Sequence, residues 1–129
     1  MNIRLDMPVG FPSILTFAPT HTGFSVNPTV VMPFTVIGRR CFFDYYTTST
    51  GTSNANNFFI SLPFTVATFT GGNIRLVHYA KDNSLQATAA YLGNIASADT
   101  KIELYNGWSG AGWTITGAKS SDVSGSFPI

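Results

Sequence analysis

The stretch Arg-Cys-Phe-Phe-Asp-Tyr-Tyr-Thr-Thr, residues 40–48, is the part of the sequence that decides the fold class. In an extended strand, successive side chains point to opposite faces. The alternation therefore gives two sets, one of Cys41, Phe43 and Tyr45 and the other of Phe42, Asp44 and Tyr46. Because both sets contain apolar groups, we expect this strand to be buried on both sides.

The rest of the chain carries the same strand signals. Thr, Val, Ile, Phe and Tyr are abundant, strong helix formers are scarce, and clusters of turn-forming residues recur at roughly ten-residue spacing. Further strands are predicted at residues 29–37, 58–62, 64–70, 74–79, 84–92, 100–105, 113–116 and 124–129. An all-β chain of about eight short antiparallel strands fits a two-sheet β-sandwich of the jelly-roll type. A small up-and-down barrel is the alternative.

Three local patterns refine these predictions. Pro33 has no N–H to give to a ladder, so the strand at 29–37 is expected to lie at an edge or to be broken there. Residues 84–92 are the best helix candidate, but the turn signals on either side favour a strand. Residues 49–57, Ser-Thr-Gly-Thr-Ser-Asn-Ala-Asn-Asn, form a loop by composition.

At 129 residues the chain is expected to form a single domain, which we place at residues 16–129. Residues 1–15 are too apolar for a free tail and too interrupted, by Pro8, Gly10 and Pro12, for a long strand. We expect them to form a short extended N-terminal arm that packs on a neighbouring subunit or another partner. The apolar contacts of this arm are expected to come from Ile3, Leu5, Met7 and Phe11.

Composition excludes several classes of protein. Charged residues make up 10% of the chain, hydrophobic residues 44%, and the net charge is +1. Disorder requires the opposite balance, and non-specific nucleic-acid binding requires a surplus of positive charge. No apolar run is long enough for a membrane-spanning helix, and Asp6, Pro8 and Gly10 interrupt the apolar stretch that a signal peptide needs. A surface with so little charge predicts that part of it is covered by other subunits.

Residues that could carry catalysis are present, but they form no recognised pattern. Gly107-Trp108-Ser109-Gly110-Ala111 lacks the last glycine of a nucleophile elbow, and no helix is predicted after it. Glu103 faces outward beside Lys101, which favours a solvated charge pair. His21 and His78 stand far apart, with no second metal ligand at a recognised spacing. We therefore expect no enzyme activity, no catalytic residue, no metal and no cofactor.

The lone Cys41 can form no internal disulfide, and its apolar neighbours favour a buried structural thiol.

An aromatic loop at residues 105–113 is the strongest candidate binding site. Sugar rings stack on flat aromatic faces, and amide or hydroxyl groups orient the sugar hydroxyls, so Tyr105, Asn106 and Trp108 could contact a glycan. The structural alternative is that Trp108 and Trp113 close one end of the sandwich while the glycines let the backbone pass close to it.

Several segments, taken in order, resemble the small β-sandwich modules of tailed-bacteriophage virion appendages, which occur at tail-fibre and tail-spike tips and in related phage structural proteins. The similarity covers residues 17–127 and rests most on the Ser-Leu-Pro-Phe-Thr strand end at 61–65 and the Leu-Tyr-Asn-Gly turn at 104–107. The other segments that carry it are Phe-Ala-Pro-Thr at 17–20, Thr-Gly at 22–23, Gly-Arg-Arg-Cys-Phe-Phe-Asp-Tyr-Tyr-Thr at 38–47 and Gly-Ser-Phe at 125–127. The resemblance implies a jelly-roll-like fold, trimeric assembly and a non-enzymatic role on the virion surface.

The function expected from these features is that of a non-enzymatic virion structural protein, made in the cytoplasm of the bacterial host. It would be a trimeric surface module, held by its arm to other capsid or tail proteins. A fibre tip normally ends a much longer chain, whereas only residues 1–15 precede the module here. Either the chain is a stand-alone virion protein attached by this arm, which favours a capsid decoration, head-fibre or tail-accessory role, or it is part of a longer protein. The alternative is a receptor-binding module that recognises a host-surface glycan, and an enzyme ranks third.

Overall fold

The structure is a computed structural model that describes residues 14–83, 85–86, 91–106 and 112–129. These residues form no helix, and twelve β-strands are present among them. The strands are Leu15–Phe17 (β1), His21–Thr22 (β2), Phe24–Val26 (β3), Thr29–Ile37 (β4), Arg40–Ser49 (β5), Gly51–Ser53 (β6), Phe58–Ser61 (β7), Ile74–Asp82 (β8), Leu85–Gln86 (β9), Tyr91–Ile95 (β10), Lys101–Leu104 (β11) and Ala118–Pro128 (β12). The predicted all-β class is confirmed.

Hydrogen bonding joins the strands into one antiparallel sheet in the order β1-β4-β5-β12-β8-β10-β11-β7-β2. Three strands lie off this path, since β3 pairs with β6, β6 also pairs with β12, and β9 pairs with β8. The sheet curls strongly. His21 on β2 and Tyr45 on β5 show this, since they form a hydrogen bond (Nε2 to Oη, 3.0 Å) although their strands lie far apart in the strand order.

The curled sheet encloses one apolar core. Strands from both ends of the order contribute to it, including β4 and β5 on one side and β7 and β11 on the other. The largest fully buried side chains of these strands are Met32, Tyr45, Phe58, Ile60, Ile102 and Leu104. Burial of each such side chain contributes on the order of 2 kcal/mol, so the core is the main source of stability.

The strand at 29–37 has the predicted bounds, but the prediction that it lies at an edge of the sheet is wrong. Strand β4 lies between β1 and β5 and is therefore not an edge strand. Its pairing with β5 runs through Val31 and resumes at Phe34, so that the ladder is interrupted around Pro33. The missing proline N–H accounts for this gap in the ladder, but the strand itself continues through Pro33, so the prediction that it is broken there is wrong.

Two predicted strands are wrong. Residues 64–70 form no strand, because their N–H groups bond to separate segments: Val66 to Asp99 O (2.8 Å), Ala67 to Pro128 O (2.9 Å) and Phe69 to Ser97 Oγ (2.9 Å). Residues 113–116 likewise form no strand. The loop predicted at 49–57 contains the short strand β6, which pairs with β3 and β12.

Strand β5 corrects the expectation of burial on both sides. Cys41, Phe43 and Tyr45 are buried, and at most 3% of the surface of each residue is exposed to solvent. Phe42 and Tyr46, on the opposite side, are 40% and 44% exposed. The alternation is therefore as predicted, but the described part of the chain covers only one side of this strand.

Leu15, which the sequence assigned to the arm, is the first residue of β1. The other predicted arm contacts, Ile3, Leu5, Met7 and Phe11, lie outside the described residues.

Candidate functional site

Four neighbouring strands, β4, β5, β12 and β8, present one side of the sheet to solvent. Pairing places Val31 opposite Tyr46 and Asp122 opposite Tyr79. Side chains in such cross-strand pairs lie about 5 Å apart and form a continuous surface. We call this surface the outer face, and its large apolar members, each 40% to 58% exposed, are Val31, Ile37, Phe42, Tyr46, Val77 and Tyr79.

A polar strip on β12 crosses the outer face. Asp122, Ser124 and Ser126 lie on the same side of this strand, since Ser124 is opposite Asp44 and Ser126 is opposite Phe42. Ser126 Oγ accepts a hydrogen bond from Arg40 Nε at 2.8 Å. The outer face therefore combines hydroxyl and carboxylate groups with exposed aromatic groups, which are enriched where one protein surface binds another.

A groove of about 550 Å³ lies on the outer face. Its lining includes Ile14 at one end, Phe42 and Pro33 as apolar groups, and Asp44, Ser124 and Ser126 as polar groups. The groove is open to solvent and lies across β4, β5 and β12, with Ile14, the residue before β1, in its lining.

The opposite side of the sheet holds a buried ion pair. Lys119 is 1% exposed, and its Nζ lies 2.5 Å from Asp82 Oδ1. The ammonium group also donates to Thr114 Oγ1 at 2.6 Å and to the carbonyl oxygen of Thr116 at 2.8 Å. Burial favours the neutral form of the Asp82 carboxyl, but hydrogen bonds from Lys119 and Thr114 outweigh it and lower its pKa. Asp82 is therefore a carboxylate at neutral pH.

The Asp82 carboxylate also binds residues that precede and follow residues 107–111 in the sequence. Asn106 Nδ2 donates to Asp82 Oδ2 at 2.7 Å, and the N–H of Thr114 donates to the same oxygen at 3.1 Å. Gly117 adopts a φ of 99°, and a side chain there would collide with Asn83. We call Asp82, Asn83, Asn106, Thr114 and Lys119 the polar cluster, which fixes the backbone at this end of the fold.

His78 is a second buried polar group. Its Nε2 lies 3.1 Å from the carbonyl oxygen of Tyr105, and its Nδ1 lies 2.8 Å from Ser121 Oγ. Nδ1 also lies 3.3 Å from the carbonyl oxygen of Tyr79, so each ring nitrogen faces a carbonyl that can only accept, and the Ser121 hydroxyl can donate to Nδ1 or accept from it. Burial lowers the pKa of His78, so the ring is neutral in the folded protein at neutral pH.

The contact of Ser121 with His78 does not form an accessible nucleophile. Ser121 is fully buried and His78 is 3% exposed, so no substrate in solvent reaches the hydroxyl. The Cys41 thiol is likewise buried, and burial raises its pKa to about 11, which confirms the predicted structural thiol. Among the described residues, no group of three or more His, Cys, Asp and Glu side chains is arranged to hold a metal ion.

Two of the residues predicted for glycan binding form hydrogen bonds within the chain. Tyr105 is partly buried, and its hydroxyl donates to Glu103 Oε2 at 2.6 Å. The amide nitrogen of Asn106 donates to Asp82 within the polar cluster. Trp108 lies outside the described residues, and the glycan site stays a prediction.

Trp113 confirms the structural alternative for its part of the aromatic loop. It is 4% exposed, its Nε1 donates to the carbonyl oxygen of Leu104 at 2.6 Å, and its ring packs against Phe58, His78 and Tyr91.

Within the described ranges, no helix has the length and apolar character needed to cross a membrane. Comparisons of the chain with protein-family models, with curated proteins and with solved structures find no match.

Proposed function

We propose that this chain is a non-enzymatic structural protein of a bacteriophage virion. It forms a trimeric, surface-exposed module, such as a capsid decoration, a head fibre or a tail accessory. Residues 1–15 serve as its arm, which contacts neighbouring copies or other capsid or tail proteins. The protein is made in the cytoplasm of the bacterial host and assembles there into the virion.

The outer face is the observation that carries this proposal. Isolated exposed apolar side chains are normal on a monomer, but contiguous apolar surfaces commonly mark sites of association. Here Val31 and Tyr46 are paired across two strands, with Phe42 on the same side of β5 and Tyr79 two strands away. Association of copies through this surface removes these side chains from water.

The chemistry of the remaining surface also supports the proposal. With charged residues at 10% and a net charge of +1, copies of the chain repel one another little when they associate. Ser, Thr and Asn side chains supply most of the polar groups instead, as in the strip Asp122, Ser124 and Ser126. Such a surface suits a structural module better than a site that binds a charged substrate.

The two-sheet jelly roll belongs to the same proposal. Five of the twelve strands have only two or three residues, which leaves seven longer strands to form the two layers. The curl of the sheet and the single apolar core, to which β4, β5, β7 and β11 all contribute, support an arrangement in two facing layers.

Immuno-electron microscopy of particles tests the virion assignment. An antibody against the purified protein is applied to phage particles purified from a lysate of cells that carry the gene. We expect label at regular positions on capsids or tails, and mass spectrometry of the same particles should detect the chain. Protein that remains entirely in the particle-free fraction would contradict a virion role, whatever its oligomeric state.

A further inference from the structure

The groove of the outer face lies beside the point where residues 1–13 join the described chain. Ile14 is 78% exposed and lines the groove, and the next residue begins β1. Strand β1 lies at one end of the strand order, so one of its edges has no strand partner within the described part of the chain. An apolar groove and an open strand edge therefore lie together.

Residues 1–11 have a sequence pattern that fits such a groove. Every odd position is apolar, whereas even positions carry Asn, Arg, Asp, Pro and Gly. Residues of one parity share one face of an extended strand, which gives this segment one continuous apolar face. Its odd members are Met1, Ile3, Leu5, Met7, Val9 and Phe11.

The prolines of the segment indicate how it pairs. Pro8 and Pro12 both occupy even positions. Along a strand, the backbone groups of alternate residues point to the same edge, so both missing N–H groups fall on one edge and the other edge keeps its donors. A strand of this kind can pair along one edge only, as a strand added to the border of a sheet does.

The direction of the chain favours the groove of another copy. Leu15 pairs with Phe34, so an extended continuation of β1 towards lower residue numbers runs towards Ile37, where β4 ends. Such a path leads away from the part of the groove formed by Asp44 and Ser124. Eleven extended residues span up to about 36 Å, which is enough to reach a neighbouring molecule.

We infer that residues 1–11 of one copy bind in the groove of a neighbouring copy, with their apolar face on Phe42 and Pro33. This inference rests on the proposed assembly of several copies and specifies how they are joined. The arm is then a link between subunits, and the groove is its receptor.

Photo-crosslinking of the full chain tests the inference. The photoreactive amino acid p-benzoylphenylalanine replaces Phe11, and the protein is irradiated at a concentration at which light scattering has established its oligomeric state. We expect a covalent dimer on a denaturing gel. Mass spectrometry should place the crosslink between residue 11 and a groove residue such as Phe42 or Ser124.

A matched pair of second-site variants checks that the groove is the receptor. Ser124→Trp fills the groove, whereas Thr50→Trp adds the same side chain at an exposed position outside its lining. We expect Ser124→Trp to lower the yield of crosslinked dimer about tenfold, equivalent to a tenfold weaker docking equilibrium, and Thr50→Trp to leave it unchanged. Circular dichroism spectra that match the wild type establish that both variants are folded.

The outcomes separate the inference from the proposed function. An oligomer that gives no crosslink, or crosslinks mapped elsewhere, overturns the groove as receptor and leaves the assembly intact. Crosslinks within single chains overturn the exchange between copies. A monomer that gives no covalent dimer overturns both the exchange and the proposed trimer.

Discussion

Lys119 and Phe42 lie on opposite sides of the same sheet and reverse the usual preferences of their side chains. The lysine is 1% exposed, whereas the phenylalanine is 40% exposed. Lysine is rarely buried without a partner, and Lys119 has one in Asp82. No comparable compensation within the described chain covers Phe42.

The difference indicates that the two sides of the sheet have different roles. On the inner side, which faces the core, the hydrogen bonds of the polar cluster fix the backbone. Asp82, for example, accepts hydrogen bonds from both Asn106 and Thr114. On the outer face, apolar groups stay in contact with solvent in a single copy. The inner side stabilises the fold, and we propose that the outer face serves association.

The largest expected effect compares two adjacent tyrosines. Tyr45 is fully buried and Tyr46 is 44% exposed on the outer face. Tyr45→Ala leaves a cavity and breaks the hydrogen bond to His21, so we expect it to lower the free energy of unfolding by about 4 kcal/mol. Tyr46→Ala should cost at most about 1 kcal/mol. Urea denaturation in conditions that keep the chain monomeric measures both, and equal losses would break the comparison.

Removal of the buried cation should have the next largest effect. Lys119→Met leaves the Asp82 carboxylate without its ion-pair partner, so we expect it to lower the free energy of unfolding by about 3 kcal/mol. The control is Lys101→Met, because Lys101 is exposed and its Nζ lies over the Phe59 ring at 4.5 Å, a contact worth about 0.5 kcal/mol.

A double variant sharpens this test. Lys119→Met with Asp82→Asn removes both charges and keeps an acceptor oxygen for Asn106 and Thr114, so it should be less destabilised than Lys119→Met alone. If the double variant loses as much as the two single variants together, the pair is not coupled.

The stability of the inner side should also depend on pH. Burial lowers the pKa of His78 below its usual 6.5, so below pH 6.5 the unfolded chain binds a proton that the folded protein does not. The free energy of unfolding therefore falls as pH decreases from 7 to 5, by up to about 1.4 kcal/mol per pH unit for this group. Asp82 adds no slope in this range, because its lowered pKa makes stability fall only at more acidic pH.

Thermal denaturation of His78→Gln measured from pH 7 to pH 5 isolates the contribution of this ring. The variant should show a flatter pH dependence than the wild type. His21→Gln is the control: burial also lowers the pKa of His21, but this ring is only half-buried and should contribute less. An unchanged slope in His78→Gln would show that the acid sensitivity arises elsewhere.

Local alternation in the sequence predicted much of the fold. The bounds of β4 and the faces of β5 follow from side chains within a single strand. The same pattern could have found Lys119, because counting back in steps of two from Phe127 and Val123 places it on the inner side of β12. Its charge argued against that position, and only the pairing of Lys119 with Asp82 on β8 makes burial acceptable.

Other features depend on contacts between distant segments and carry no local signal. Residues 64–70 have the composition of a strand, yet Val66 bonds to Asp99, just before β11, and Ala67 bonds to Pro128, the last residue of β12. His78 contacts Ser121 and Tyr105, which lie in two other, separate parts of the chain. The curl that brings β2 against β5 likewise depends on the whole sheet.

The central claim is that other copies of the chain cover the outer face. Size-exclusion chromatography with light scattering tests it on the full chain at micromolar concentration. We predict three times the 13.9 kDa mass of one chain, retained in Ile115→Ser, an exposed position outside the sheet. The double variant Phe42→Ser and Tyr46→Ser should give the mass of a single chain while it stays folded. A wild-type protein that elutes as a monomer throughout this concentration range would contradict the claim.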